Sequence, residues 1–190
     1  MGDASGQAPH LMQHLKSHPP LEPLLRRVER LERAGVVVAL GGSGLLAALG
    51  LADTAQDWDL TTDAPLHAVL DALEGEPWTH HGPDDLHADQ KLGLDHGAIE
   101  IIIGFAFQVR GGVVHIPTEV TGRWNGLPLG SPEGWAVAYA LLGRPEKSQA
   151  LLDHLATLGA SGARIARLRR EPLPATLDLR LAGLPTSSDA

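Results

Sequence analysis

The sequence contains no cysteine, so it can form neither a disulfide nor a thiolate metal site, and it offers no thiol nucleophile. No apolar run approaches the roughly 20 residues that a membrane-spanning helix needs. The opening residues, MGDASGQAPHLMQ, lack the basic stretch and following apolar run of a secretory signal. The expectation is a soluble, cytoplasmic protein. Basic residues are nearly missing from the middle of the chain: positions 50–100 hold twelve acidic side chains and a single basic one, Lys91. A polyanion would be repelled there unless metal ions screened it, so extended nucleic-acid contact is not expected. An acidic surface also serves solubility alone. There is no internal repeat, which excludes a solenoid. What remains is 190 residues of 43% hydrophobic content, enough for one sizeable core with a helical appendage.

The chain is organised around positions 36–63, VVVALGGSGLLAALGLADTAQDWDLTTD. Positions 36–40 form a β-branched-rich apolar run, as expected of a strand covered on both faces. Gly41, Gly42 and Ser43 then make a small-residue turn into a short apolar helix over 44–51. Glycines there let backbone amides approach a ligand, and Ser43 can cap the helix or bond a phosphate. A second strand carries Asp57 and Asp59. Side chains two apart share a strand face, so the two carboxylates project together while Trp58 and Leu60 turn into the core. Paired carboxylates are either solvated or neutralised by a divalent cation.

The flanking segments read more plainly. Residues 1–19 form a flexible tail whose His10, His14 and His18 fall at helical spacing, a pattern that more often faces solvent than metal. After Pro19 and Pro20 comes a packing helix with a stripe of Leu21, Leu24, Leu25, Val28 and Leu31; Arg26, Arg27, Arg30 and Arg33 lie largely off it, and Gly35 stops it. Positions 66–73 suit a helix and 77–81 a short strand. The loop HHGPDDLHAD mixes His80, His81 and His87 with Asp84, Asp85 and Asp89, and its Gly-Pro pair favours a polar loop over a dedicated metal centre. Positions 91–94 and 98–103 read as strands about His96 and Gly97, the second carrying one charge, Glu100, in an otherwise apolar run. A buried carboxylate there stays protonated unless paired or metal-bound; otherwise Glu100 sits at an exposed strand end or meets an arginine. A hairpin follows at 110–113, then irregular chain through Trp124, Asn125 and Gly126. Ser131, Pro132 and Glu133 open a helix over 134–142, another spans 145–158, and a third at 162–170 carries Arg164, Arg167, Arg169 and Arg170 on a face read as solvated. The resulting organisation is a tail (1–19), an α/β domain (20–130), a helical region (131–170) and an irregular tail (171–190).

The order of strand, Gly-Gly-Ser turn, helix, Asp-x-Asp strand and later strand with a lone acid resembles the nucleotidyltransferase superfamily that includes polymerase β. Thirteen residues separate Gly42-Ser43 from Asp57-Trp58-Asp59. GGSGLLAALGL and DWDLTTD look like the CCA-adding and antibiotic-modifying branches, and SPEGWAVAYALLGRPEKSQALLDHL is similar to the helical tail of minimal nucleotidyltransferases. The CCA-adding branch continues its turn with Val-Arg-Asp, which Gly44-Leu45-Leu46 replaces here, arguing against tRNA maturation. Minimal relatives carry a lysine about where this chain has Tyr139, and an Arg-Pro-Lys-Asp where it has Arg144-Pro145-Glu146-Lys147.

The resemblance implies a mixed sheet flanked by helices, two Mg2+ ions held by Asp57, Asp59 and Glu100, and the phosphates of an NTP at Gly41, Gly42 and Ser43. The reaction it implies moves an NMP group to an acceptor hydroxyl, the acidic segment suiting a cationic small molecule. Two alternatives stand beside it: an inactive module of the same fold that senses nucleotide or binds protein, favoured by the changes at Tyr139, Glu146 and Lys147, and an unrelated α/β domain with a tight turn.

Overall fold

A computed structural model describes residues 17–81 and 90–187, with the side chain of His81 left out. His10, His14, His87, Asp84, Asp85 and Asp89 lie outside the described residues. Among the described residues no helix is long and apolar enough to cross a membrane.

The first helix, α1 (Leu21–Arg33), follows Pro20, and the chain leaves it through Gly35 in the left-handed region, φ 76°. Glu22 in its first turn and Arg30 and Arg33 in its last suit the helix dipole. Then come β1 (Ala39–Leu40), α2 (Gly42–Ala48), β2 (Trp58–Thr62), α3 (Leu66–Ala72), β3 (Thr79–His81), β4 (Gln90–Leu94) and β5 (Ile99–Ile103). A separate hairpin, β6 (Ala106–Val109) with β7 (Gly112–His115), precedes β8 (Gly122–Trp124) and β9 (Leu127–Leu129). The helices α4 (Pro132–Leu141) and α5 (Pro145–Leu158), the strand β10 (Ala160–Ser161), α6 (Gly162–Leu168), α7 (Ala175–Ala182) and β11 (Thr186–Ser187) complete the chain.

Seven strands form one mixed sheet in the order β3-β4-β5-β2-β1-β9-β8. The β2–β5 and β1–β9 pairs are parallel and the other pairs antiparallel. The expected α/β architecture is the observed one. Trp58, Leu60, Ile99 and Ile101 are fully buried, so the apolar positions of β2 and β5 point inward as their alternation demands. Ser131 caps α4 by accepting the Gly134 amide at 3.0 Å, with Pro132 at the first helical position, as its sequence signature predicts.

Several expectations change. The run at 36–40 pairs as a strand only at Ala39–Leu40; the Val37 carbonyl accepts from the Thr62 hydroxyl at 2.7 Å, and the Val37 side chain is exposed. The helix expected at 44–51 begins at Gly42, its first backbone bond running from the Leu45 amide to the Gly41 carbonyl, and Gly50 at φ 72° follows its end. The stretch expected to be irregular through Trp124, Asn125 and Gly126 is so only over 116–121, and its end forms a hairpin. Asn125 and Gly126 both take positive φ and close the β8–β9 hairpin, the turn that an Asn-Gly pair favours. Within the stretch expected to be an irregular tail, α7 buries Leu177 and Leu181, four residues apart, and β11 pairs with β10.

Arg27 also departs from expectation. It is buried within the stripe of α1, not off it. Its guanidinium grips Asp95 with two bonds of 2.8 and 2.9 Å, meets Glu76 at 2.9 Å and donates to the Pro23 carbonyl at 3.0 Å. Asp95 and His96 both adopt positive φ, 50° and 57°, a conformation that side chains resist. The bidentate fork holds that β4–β5 turn in place. The buried guanidinium and the exposed Arg26–Glu22 pair therefore differ in weight. Arg27→Ala should lower unfolding free energy in urea by about 2–3 kcal/mol, and Arg26→Ala by less than about 0.5 kcal/mol; equal losses would contradict this.

Candidate active site

The sheet register decides where the acids meet. In the parallel β2–β5 pair Asp59 stands directly opposite Glu100, and Trp58 opposite Ile99. Asp57 precedes β2 by one residue, so it shares the Asp59 face. The three carboxylates open into one cleft with a cavity of about 220 Å³, whose wall also includes Gly42 and Ser43. The residues singled out from the sequence are thus gathered in one place, except Gly41, which does not line the cleft.

The two glycines have separate structural reasons. A Cβ on Gly42 would lie 1.7 Å from Asp59 Oδ2, so only glycine lets that carboxylate sit against the turn. A Cβ on Gly41 would lie 1.9 Å from the Trp135 ring, so the indole of α4 packs directly on the turn. Ser43 is the second residue of α2 and does not cap it, since the cap position is Gly41. Its hydroxyl instead stands 3.4 Å from the Asp57 carbonyl, from Asp57 Oδ1 and from the Gln56 amide, tying the approach to β2 onto α2.

Glu100 is neither at a free strand end nor paired with an arginine. Lys91 reaches across from β4 to within 3.8 Å of Glu100 Oε2, and both line the cleft. Glu100 faces Gly93 across the β4–β5 ladder, and Lys91 lies two residues from Gly93 on the same face. The one basic residue of the acidic segment was the available sequence signal for it. The other side of the cleft is built by α4 and the start of α5: Trp135, Tyr139, Leu142, Arg144 and Lys147, with Phe105 between. Phe105, Trp135 and Tyr139 form a chain of ring contacts 5.0 and 5.5 Å apart.

Burial first, then the charges of Asp57 and Glu100, push the Asp59 carboxyl up to about 7, while Lys91 and Arg144 draw it down. In donor chemistry, an all-oxygen carboxylate set suits a hard cation such as Mg2+. Among the described residues no three His, Asp or Glu side chains are already gathered as a metal cage. Asp57 and Asp59 fit as holders of an ion, whereas Glu100 is engaged by Lys91. Neither His18 nor His80 lines the cleft: His18 packs beside Trp58 at 5.8 Å and His80 beside Trp78 at 6.3 Å. The arginine run of α6 is occupied by acids, Arg164 and Arg167 by Glu119 and Arg169 by Asp178.

No sequence-family model matches the chain, and no curated protein matches it. Solved structures do. A candidate nucleotidyltransferase from Thermotoga maritima superposes with a TM-score of 0.52 at 21% identity, over 78% of this chain and 99% of the other. The fold is that of the nucleotidyltransferases. The antibiotic-resistance factor ANT(2'')-Ia is also similar, at 14% identity and a TM-score of 0.47 over 78% of this chain and 90% of its own. In this nucleotidyltransferase fold the acid-bearing β2 and β5 lie at the centre of the sheet.

The raised Asp59 carboxyl has a consequence for stability. Its folded value of about 7 exceeds the ordinary 3.8, so between those values the folded state holds the extra proton. Stability then falls as pH rises through that window. Asp59→Asn removes the titration, so the stability difference between variant and wild type in urea should move toward the variant by something on the order of 2 kcal/mol between pH 5 and pH 8. A difference independent of pH would contradict the assignment.

Proposed function

We propose that the protein is a magnesium-dependent nucleotidyltransferase, moving an NMP group from an NTP to a hydroxyl of a small-molecule acceptor. The observation that carries this reading is the register that sets Asp59 against Glu100, with Asp57 beside them and Gly42 beneath the Asp59 carboxylate. In the reaction the acceptor oxygen bonds to the α-phosphorus, the bond to the β-phosphate bridge breaks, and pyrophosphate leaves. Bound magnesium would neutralise the charge that builds on the phosphate oxygens and on pyrophosphate. Asp57 and Asp59 would hold the two ions, and Glu100 would complete that site or accept the proton of the acceptor hydroxyl. Lys91 steadies the negative charge of Glu100 meanwhile. Gly41, Gly42 and Ser43 would hold phosphate, Gly42 and Ser43 from the cleft wall and Gly41 by keeping the turn's shape.

A cationic acceptor fits the acidic segment on electrostatic grounds, and the negative surroundings disfavour tRNA or other long polyanions. A cytoplasmic setting would provide NTP and magnesium together. A second reading keeps the fold without the chemistry, as a nucleotide-sensing or protein-binding module. It is favoured by Lys91 engaging Glu100 and by an uncharged Tyr139 in the cleft.

Incubation with each labelled NTP, millimolar magnesium and a panel of acceptors separates the two. The enzyme reading expects label on an acceptor, and Asp57→Ala or Asp59→Ala should reduce that transfer by at least ~10²-fold. Binding without transfer in every combination would support the sensing module. Nucleotide binding that ignores both substitutions would remove the enzyme reading altogether.

A further inference from the structure

The α4–α5 hairpin gives the cleft a wall whose chemistry is opposite to that of β2 and β5. Tyr139 projects from α4, is 1% exposed, and lines the cleft. Among the described residues its hydroxyl is buried without a hydrogen-bond partner. Buried hydroxyls in folded proteins are satisfied in the large majority, and an orphan at a cleft wall calls for a partner from outside the chain. The Lys147 ammonium stands over the Tyr139 ring, 5.3 Å from its centre, and Arg144 lines the same wall. A cation over a ring face is attracted by the ring's negative face, so the ring holds that ammonium at the cleft.

The donors on this wall are chemically uniform. Lysine and arginine donate and do not accept. Burial above all, then the charge of Asp59, keeps the Tyr139 phenol protonated well beyond neutrality, so it too stands ready to donate. A set of donors with two positive charges fits an anionic oxygen and disfavours a cation.

We propose that Tyr139 is a specificity-determining residue of this cleft, its hydroxyl and the Lys147 ammonium seated on its ring together forming a seat for a phosphoryl oxygen of a polyphosphate. The identity of the ligand as a polyphosphate rests on the nucleotidyl-transfer reading; the seat rests on the orphan hydroxyl and the ring-held ammonium. A lysine at position 139 would place a full charge on α4 itself. Tyrosine donates from that position without adding charge and carries the cation on the neighbouring helix.

The test is calorimetric binding of inorganic tripolyphosphate to the full chain in EDTA, where the carboxylates have no metal to bridge them to the anion. Tyr139→Phe should weaken binding about 3–10-fold, with a melting temperature equal to wild type or higher because an unsatisfied buried hydroxyl is gone. Lys147→Gln should weaken it also, and the double variant should lose less than the two single losses combined, since the contact is shared. Unchanged affinity in Tyr139→Phe would overturn the proposal. So would weaker binding accompanied by a lower melting temperature, which marks a packing role. Failure of the wild type to bind tripolyphosphate in EDTA overturns the seat and leaves magnesium-dependent transfer standing. Tyr139-dependent binding with no transfer to any acceptor supports the seat and removes the enzyme reading.

Discussion

Three carboxyl groups brought together at two adjacent parallel strands are the constraint on which the rest of the molecule depends. Pairing β2 with β5 places Asp59 opposite Glu100, and the strand period adds Asp57 to the same side. Asp59 is half-buried in the cleft wall, and partial desolvation together with the neighbouring acids holds its carboxyl proton to about 7. A fold selected for stability alone would not gather acids there, because apolar side chains would fill the space at lower electrostatic cost. The surrounding sequence accommodates the arrangement instead: Gly42 gives the Asp59 carboxylate room that any Cβ would take, and Lys91 supplies a compensating charge at Glu100.

The same constraint explains why the helical region belongs with the sheet. Trp135 occupies the space that Gly41 leaves, which fixes α4 against the turn before α2. Glu133 locks the base of that helix from inside, accepting the Ser131 hydroxyl at 2.9 Å and the Ser161 amide at 2.8 Å. Ser148 on α5 donates to the Ala136 carbonyl at 2.8 Å, so the two helices cannot slide freely past each other. Packing therefore carries a donor wall to an acid wall, and the cleft between them has charges of both signs on opposing sides. That polarity suits a ligand with an anionic chain at one end and bound cations beside it.

Much of this was legible in the residues because the signals were local. Asp57 and Asp59 at a spacing of two, the Gly-Gly-Ser turn and the Ser-Pro-Glu helix start each depend on a few adjacent positions, and the fold built on them is the one observed. The departures came where a distant partner decides. Arg27 reads as a surface residue on α1 until Asp95 on the β4–β5 turn and Glu76 between α3 and β3 are brought to it. Lys91 reads as a lone base until the hairpin register swings it toward Glu100. α7 hid in a Pro- and Leu-rich stretch because its two buried leucines carry too little periodicity alone. The β8–β9 hairpin is a different matter: Asn125-Gly126 is a local turn signal, but its flanking strands of three residues each are too short to show alternation.

Magnesium titration of the Asp59 side-chain carbon by NMR, repeated across pH, addresses the central claim most directly. The account predicts a carboxyl titrating near 7 without metal, as its surroundings impose, and shifted downward with saturating magnesium, because a bound cation favours the charged form. An Asp59 titration unmoved by magnesium would contradict a cation-binding cleft and with it the nucleotidyl-transfer reading.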